Sequence, residues 1–209
     1  MKSGKSCSLS ECGAWLVSLL FHPVFIPFYT LIIFFQISRY FFYDTGRIIR
    51  LLFLSAVVVP LLLLFLLYRL KILRSVFLER WQARAGFTVF MAVIYFLLHR
   101  VLEPLPGMDI MGAYFEGIAV ALLLAAVFYL FKIKISLHAL AVGGTLFFFL
   151  QWSYMYRTNI LDIVAVIVAI GTVVLVSRLK LQAHTPGELG WGLLTGIAGQ
   201  WVAFHFLAL

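Results

Sequence analysis

The chain has 209 residues, of which 64% are hydrophobic and only 11% are charged. A soluble domain is typically about 45–50% apolar and about 25% charged, so the composition excludes a water-soluble globular protein. The net charge of +8 is carried by short segments between apolar runs, not by a tail. This distribution argues against nucleic acid as a partner and favours anionic lipid headgroups or a phosphate-bearing substrate.

Seven apolar runs follow one another along the chain. Because a helix needs about 20 apolar residues to cross a bilayer, they predict an all-α, polytopic membrane bundle of about seven transmembrane helices. An N-terminal arm, residues 1–14, is expected to precede a single transmembrane domain, residues 15–209. The predicted spans are Trp15–Ile37, Ile48–Leu67, Gly86–Leu102, Ile110–Phe131, Leu137–Trp152, Ile160–Val176 and Gly187–Leu207.

Two histidines in the first half of the chain match no pattern of reactive residues. His22 precedes Pro23 in the first span, where the prolines are expected to kink the helix. We expect His22 to bond a backbone carbonyl that the proline frees. His99 ends the third span and is expected to be structural, and Glu116 in the fourth span to be solvated or paired.

Charged and polar side chains concentrate in the loops after spans two, four and six. Two spans separate each loop from the next, so all three loops are expected on one face of the membrane. Insertion alone places Lys and Arg in cytoplasmic loops, but this bias does not account for the two histidines. The residues are Lys71, Arg74, Glu79, Arg80 and Arg84; Lys132, Lys134, Ser136 and His138; and Ser177, Arg178, Lys180, His184 and Glu188.

The third of these loops has a defined spacing: Ser177-Arg178, five residues, His184, three residues, Glu188. This spacing resembles the third signature of the type 2 phosphatidic acid phosphatase superfamily, with Glu where the family has Asp. The glycine-rich segment that follows, residues 189–196, is also similar to the small-residue helix of that family.

The two other signatures of the superfamily are matched more loosely. Ile135-Ser136-Leu137-His138 resembles the second signature, Pro-Ser-Gly-His, but keeps only its serine and histidine. Leu137 replaces a glycine whose backbone could approach a phosphate closely. Arg80 and Arg84, with Arg74 or Lys71 before them, are the counterparts of the first signature by their order along the chain.

The resemblance implies a six-helix phosphatase-like core over about residues 70–205, with one further helix. It implies that His184 attacks phosphorus to form a phosphohistidine, that Glu188 orients His184 and that His138 protonates the leaving oxygen. The expected substrate is a lipid phosphate or a polyprenyl (pyro)phosphate, the expected location is a bacterial inner membrane, and no metal or cofactor is expected. The groups expected to bind the phosphoryl oxygens are Arg178, Ser136, Arg80 and Arg84.

The chemistry of these residue types suits phosphoryl transfer, in which catalysis is mostly positioning and stabilisation of charge. Guanidinium groups offer planar donors to phosphoryl oxygens, and histidine titrates near neutral pH. Two alternatives stay open. Thr185-Pro186-Gly187-Glu188 also matches a helix-capping box, which by itself would explain Glu188. A catalytically inactive anionic-lipid-binding protein, or a transporter, could use the same basic pocket.

Overall fold

The computed structural model describes residues 8–38, 45–71 and 80–207. These residues form helices joined by short turns, and no strand occurs among them. The all-α prediction is therefore confirmed for this part of the chain. The helices are α1 Leu9–Leu20, α2 Ile26–Ser38, α3 Thr45–Phe53, α4 Val59–Arg69, α5 Trp81–Leu102, α6 Asp109–Leu130, α7 Leu137–Tyr156, α8 Leu161–Lys180 and α9 Pro186–Val202.

Four helical segments in the described ranges are long and apolar enough to cross a membrane, as expected for a membrane protein. They are Gly46–Arg69, Trp81–Leu102, Asp109–Leu130 and Leu161–Lys180. The first of them joins α3 and α4 through a π-helical segment, Leu54–Val58. The predicted number of about seven spans is not confirmed.

The first predicted span, Trp15–Ile37, is divided into two helices. Helix α1 begins at Leu9, inside the predicted N-terminal arm, where Ser8 and Glu11 form a capping box. It ends at Leu20, before His22-Pro23, and α2 begins only at Ile26. With 12 and 13 residues, neither helix spans a hydrocarbon core of about 30 Å by itself.

Helix α6 lies at the centre of the bundle and α8 at its periphery. In the most apolar stretch of α6, 72% of the residues are buried inside the bundle, whereas in the most apolar stretch of α8 only 17% are buried. The outward faces of α4 and α8 instead expose large apolar side chains, including Phe65, Leu62 and Val173. Such a surface would drive association in water but is suited to lipid.

Glycines allow α9 to pack unusually close to α7. A Cβ on Gly192 would lie 2.5 Å from the Ser136 carbonyl oxygen, and one on Gly196 would overlap the Leu140 carbonyl. A four-residue spacing of small residues lets two helix backbones approach each other in a membrane. The contact holds the start of α9 beside the start of α7.

At the end of α5 and the start of α6 lies an acidic cluster, made of His99, Arg100, Glu103 and Glu116. His99 Nε2 is 3.8 Å from a Glu103 oxygen and 3.9 Å from a Glu116 oxygen, and Arg100 pairs with Glu103 at 2.8 Å. His99 and Glu116 are both buried. Glu116, expected to be solvated or paired, therefore lies inside the helix packing next to a histidine.

Candidate functional site

Two loops meet at the end of the bundle opposite the acidic cluster. The Ser136 backbone N–H donates to the Glu188 carbonyl at 3.1 Å, and Lys134 Nζ donates to the Ala183 carbonyl at 2.6 Å. The loops after the fourth and sixth predicted spans thus lie side by side, as the count of crossings predicted. In the loop after the second predicted span, residues 72–79, which include Arg74 and Glu79, lie outside the described residues.

Helices α6 and α8 end in the same way, and this ending positions both loops. Lys132 and Gln182 adopt left-handed backbone conformations, with φ of 60° and 51°. The residue after each, Ile133 or Ala183, donates its N–H to a carbonyl five residues back, which is the Schellman termination of a helix. Lys134 and His184 therefore occupy equivalent positions, two residues after the left-handed residue.

His184 is held by the carboxylate of Glu188. Its Nδ1 lies 2.7 Å from Glu188 Oε2, and only 9% of the His184 side chain is exposed. Because a carboxylate oxygen accepts, Nδ1 donates, and the neutral ring keeps its lone pair on Nε2. The same Oε2 accepts from the Thr185 N–H at 3.3 Å, and the Thr185 hydroxyl accepts from the Glu188 N–H. Glu188 thus both completes the capping box and orients His184, two roles that had been set against each other.

The surroundings of His184 favour its neutral form. Burial lowers the pKa of His184 below the ordinary value of 6.5. The hydrogen bond to Glu188 raises this pKa, while the positive charges of Lys134 and Arg178 lower it further. The net effect is a lowered pKa, so the ring carries a free lone pair at neutral pH, as a nucleophile needs.

His138 is fixed by the first helix of the bundle. Its Nε2 lies 3.1 Å from the Ser18 carbonyl oxygen, to which it donates. Ser18 belongs to the last turn of α1, whose carbonyls have no partner within the helix. Since Nε2 is occupied, any proton that His138 gives to a leaving group must come from Nδ1.

One cavity of about 490 Å³ contains His138, His184, Arg84 and Arg178 in its lining. Arg178 lies close enough to act electrostatically on both histidines. Its Nε is buried and has no hydrogen-bond partner among the described residues. An unpaired buried guanidinium nitrogen is costly, and an anion bound in the cavity would satisfy it.

We call the charged residues that line or border the cationic end of this cavity, together with His184, the basic cluster. The cluster contains three cations and one carboxylate beside its histidine, so it carries an excess of positive charge. Lys134 Nζ lies 3.5 Å from Glu188 Oε2, which partly neutralises one of the three. The members of the basic cluster are Arg84, Lys134, Arg178, His184 and Glu188.

The body of the cavity is apolar and runs into the bundle. Its lining extends along α6 from Tyr129 to Tyr114, roughly 22 Å at ~1.5 Å per residue. At the far end the Tyr114 hydroxyl contacts the hydroxyls of Thr30 and Thr145, each at 3.1 Å. A cavity with a cationic end and a long apolar body is suited to an amphipathic anion.

Two predicted phosphate-binding residues do not line this cavity. Ser136 is fully buried, and its hydroxyl caps α7 by accepting the Ala139 N–H at 3.4 Å. Arg80 is exposed at the start of α5, one turn before Arg84. Of the predicted site residues, the cavity brings together His138, His184, Arg84 and Arg178, and Glu188 borders it through His184.

A lysine and a histidine that were not predicted as site residues also line the cavity. Lys134 was noted only as one of the basic loop residues. His22 was expected to bond a carbonyl, but its Nδ1 accepts the Val24 N–H at 3.4 Å, and its ring lies 5.7 Å from that of His138. A signal for His22 was present, since an ionisable residue within an apolar segment points to function.

Comparisons with protein-family models, with curated proteins and with solved structures give no match. The site is therefore described by its own geometry alone. Among the residues that the structure describes, no three His, Cys, Asp or Glu side chains group together in a way that could hold a metal ion.

Proposed function

We propose that this protein is a membrane-embedded phosphatase, which hydrolyses a lipid phosphate or a polyprenyl (pyro)phosphate through a phosphohistidine. The observation that carries the proposal is the pairing of His184 Nδ1 with Glu188 at 2.7 Å, beside the unpaired Nε of Arg178, in one cavity with an apolar body. The resemblance of residues 177–188 to the phosphatase signature supports the same chemistry. We further propose a bacterial inner membrane as its location.

In the proposed reaction, Nε2 of His184 attacks phosphorus while Nδ1–H stays bonded to Glu188. The bond from phosphorus to the leaving alcohol oxygen breaks, and this oxygen takes a proton that Nδ1 of His138 has received from the phosphate monoanion of the substrate. Arg178 and Arg84 stabilise the charge that is spread over the phosphoryl oxygens. Water then attacks the phosphohistidine, and His138 accepts the proton of that water.

A phosphate-release assay tests the proposal. The purified full-length chain, in detergent with added lipid, is given a panel of lipid phosphates, and vanadate is tested as an inhibitor because it mimics the phosphoryl transition state. We expect release by the wild type, inhibition by vanadate and no release by His184→Ala. Release by a folded His184→Ala protein at the wild-type rate would refute the assignment.

A second candidate function is an anionic-lipid-binding protein without turnover, or a transporter with the same pocket. It is favoured by the burial of the Ser136 hydroxyl in a helix cap and by the engagement of His138 Nε2 with Ser18. This candidate predicts that vesicles of a lipid phosphate bind the protein without release of phosphate. It also predicts that His138→Gln leaves the binding unchanged.

A further inference from the structure

The proposed reaction makes no use of His22, although this residue lines the same cavity as Arg178 and His184. His22 lies in the break between α1 and α2, four residues before α2 begins. Its ring is nearly perpendicular to that of His138, with 5.7 Å between the centroids. The Arg178 charge acts on His22 as it does on the two other histidines.

The hydrogen bonding of His22 defines which nitrogen can donate. Nδ1 accepts the Val24 backbone N–H at 3.4 Å, so Nδ1 carries no proton. A neutral imidazole with a bare Nδ1 has its proton on Nε2. No described residue accepts a hydrogen bond from this Nε2–H. The ring therefore has one uncommitted donor, and the residue lines a cavity that also contains three cations.

We infer that His22 is part of the anion site and that its Nε2–H donates a hydrogen bond to a phosphoryl oxygen. The inference rests on the proposed function, because it assumes a phosphoryl group beside His184 and Arg178. A neutral imidazole polarises a substrate oxygen without adding charge. This suits a cavity in which Arg84, Lys134 and Arg178 already supply positive charge.

The break between α1 and α2 then serves the site twice. Because α1 ends at Leu20 and the His22 N–H donates to the Leu19 carbonyl, the Ser18 carbonyl is left to accept from His138. The same break turns His22 out of a helical position, where Val24 fixes its ring. The segment around this break thus contributes the proposed phosphate donor, His22, and the Ser18 carbonyl that holds the proposed acid, His138.

Two substitutions separate a donor at Nε2 from a structural role at Nδ1. The amide of Asn is attached where Nδ1 is, so His22→Asn keeps a group near Val24 but none near the anion. The amide of Gln reaches one atom further, so His22→Gln restores a donor near Nε2. His22→Phe keeps the ring contact with His138 and removes both nitrogens. The matched control is His205→Asn, because His205 is an exposed histidine whose Nδ1 is hydrogen-bonded to the Trp201 carbonyl.

The experiment measures the dissociation constant of vanadate by calorimetry, and kcat/KM for a lipid phosphate, with the detergent-solubilised full-length variants. We expect His22→Asn and His22→Phe to weaken vanadate binding by about 10- to 100-fold, the effect of one lost hydrogen bond to a charged group. His22→Gln should stay within about threefold of the wild type, and His205→Asn should match it.

Equal affinity of His22→Asn, His22→Phe and the wild type for vanadate would overturn the assignment of His22 alone, since the wild type would still bind and hydrolyse. Equal loss in His22→Gln and His22→Asn would reduce His22 to a structural role. A wild-type protein that neither binds vanadate nor releases phosphate would overturn the proposed function and this inference together. If His22→Asn does not fold, the pair His22→Phe and His22→Gln decides the question.

Discussion

The basic cluster and the acidic cluster both bury a histidine beside a carboxylate, yet they differ in what surrounds the pair. In the basic cluster, His184 and Glu188 are 2.7 Å apart, at a cavity that also contains the unpaired Nε of Arg178. In the acidic cluster, His99 and Glu116 are 3.9 Å apart, and two carboxylates lie beside one arginine, so there is no excess of positive charge. A histidine–carboxylate pair alone does not define a site. The candidate site is defined by the cavity beside the pair and by an excess of positive charge around it.

The arginines of the two clusters should differ most in their effect on activity. We expect Arg178→Ala to lower kcat/KM for a lipid phosphate by about 10³-fold, because a phosphoryl transition state loses a charged donor in a cavity. Arg100→Ala should change kcat/KM by less than about twofold, since its bond to Glu103 is exposed and such pairs contribute little. Steady-state kinetics of the two variants provide the check. Equal losses would remove the distinction between the clusters.

The carboxylates give the next contrast. Glu188→Gln should lower kcat by about 10- to 100-fold, because the group that fixes the tautomer of His184 loses its charge. Glu116→Gln should leave kcat unchanged and leave the thermal midpoint the same or higher, since a buried carboxylate oxygen that accepts no hydrogen bond is replaced by a neutral group. Activity and thermal unfolding are measured on both proteins. A larger loss of activity in Glu116→Gln would contradict the assignment of the site.

Much of this architecture could be predicted from the sequence, because apolar runs and the spacing of Arg178, His184 and Glu188 depend on neighbouring residues. The sixth predicted span ends at Val176, before the first charged residue, whereas α8 ends at Lys180. The helix continues to Lys180 because basic residues in a last turn interact favourably with the helix dipole. Ser136 was read as a phosphate ligand, although a serine just before an apolar run is also a typical N-cap.

The tertiary contacts of the site could not be predicted in this way. Lys134 reaches the Ala183 carbonyl, and His138 reaches Ser18, across 49 and 120 residues of sequence. Nothing local to either residue specifies these partners. The position of His22 depends on a helix break whose geometry the two nearby prolines permit but do not determine.

Substitutions at two glycines test how closely the helices pack, one in the contact between α7 and α9 and one beside the acidic cluster. Gly196→Ala should destabilise the protein by about 1–3 kcal/mol, because the new methyl group would overlap the Leu140 backbone carbonyl, which cannot turn aside. Gly112→Ala, beside the acidic cluster, places its methyl group 3.4 Å from His99 Nδ1, an ordinary contact, and should be close to neutral. Unfolding of both variants in detergent checks the difference. If the two variants were equally stable, the backbones of α7 and α9 would have to move apart more easily than their close contact indicates.

The smallest effect concerns pH. In the proposed reaction His184 attacks as the neutral ring, so kcat/KM should fall as the pH drops through the pKa of His184, which lies below 6.5 in the wild type. Lys134→Met removes a positive charge that lowers this pKa, so the acidic limb should move to higher pH, by less than about one pH unit. Arg100→Met should leave the limb where it is. A shift of the limb to lower pH in Lys134→Met would contradict this electrostatic account.

The central claim is that Nε2 of His184 accepts the phosphoryl group, and trapping the intermediate tests it most directly. Wild type and His184→Ala are mixed with a lipid phosphate labelled at phosphorus and quenched in alkali within one turnover, and the labelled peptide is located by mass spectrometry. We predict a label on His184 that survives alkali, is lost in acid and is missing from His184→Ala. Turnover by the wild type with no label on His184, or with a label on another residue, would contradict the claim.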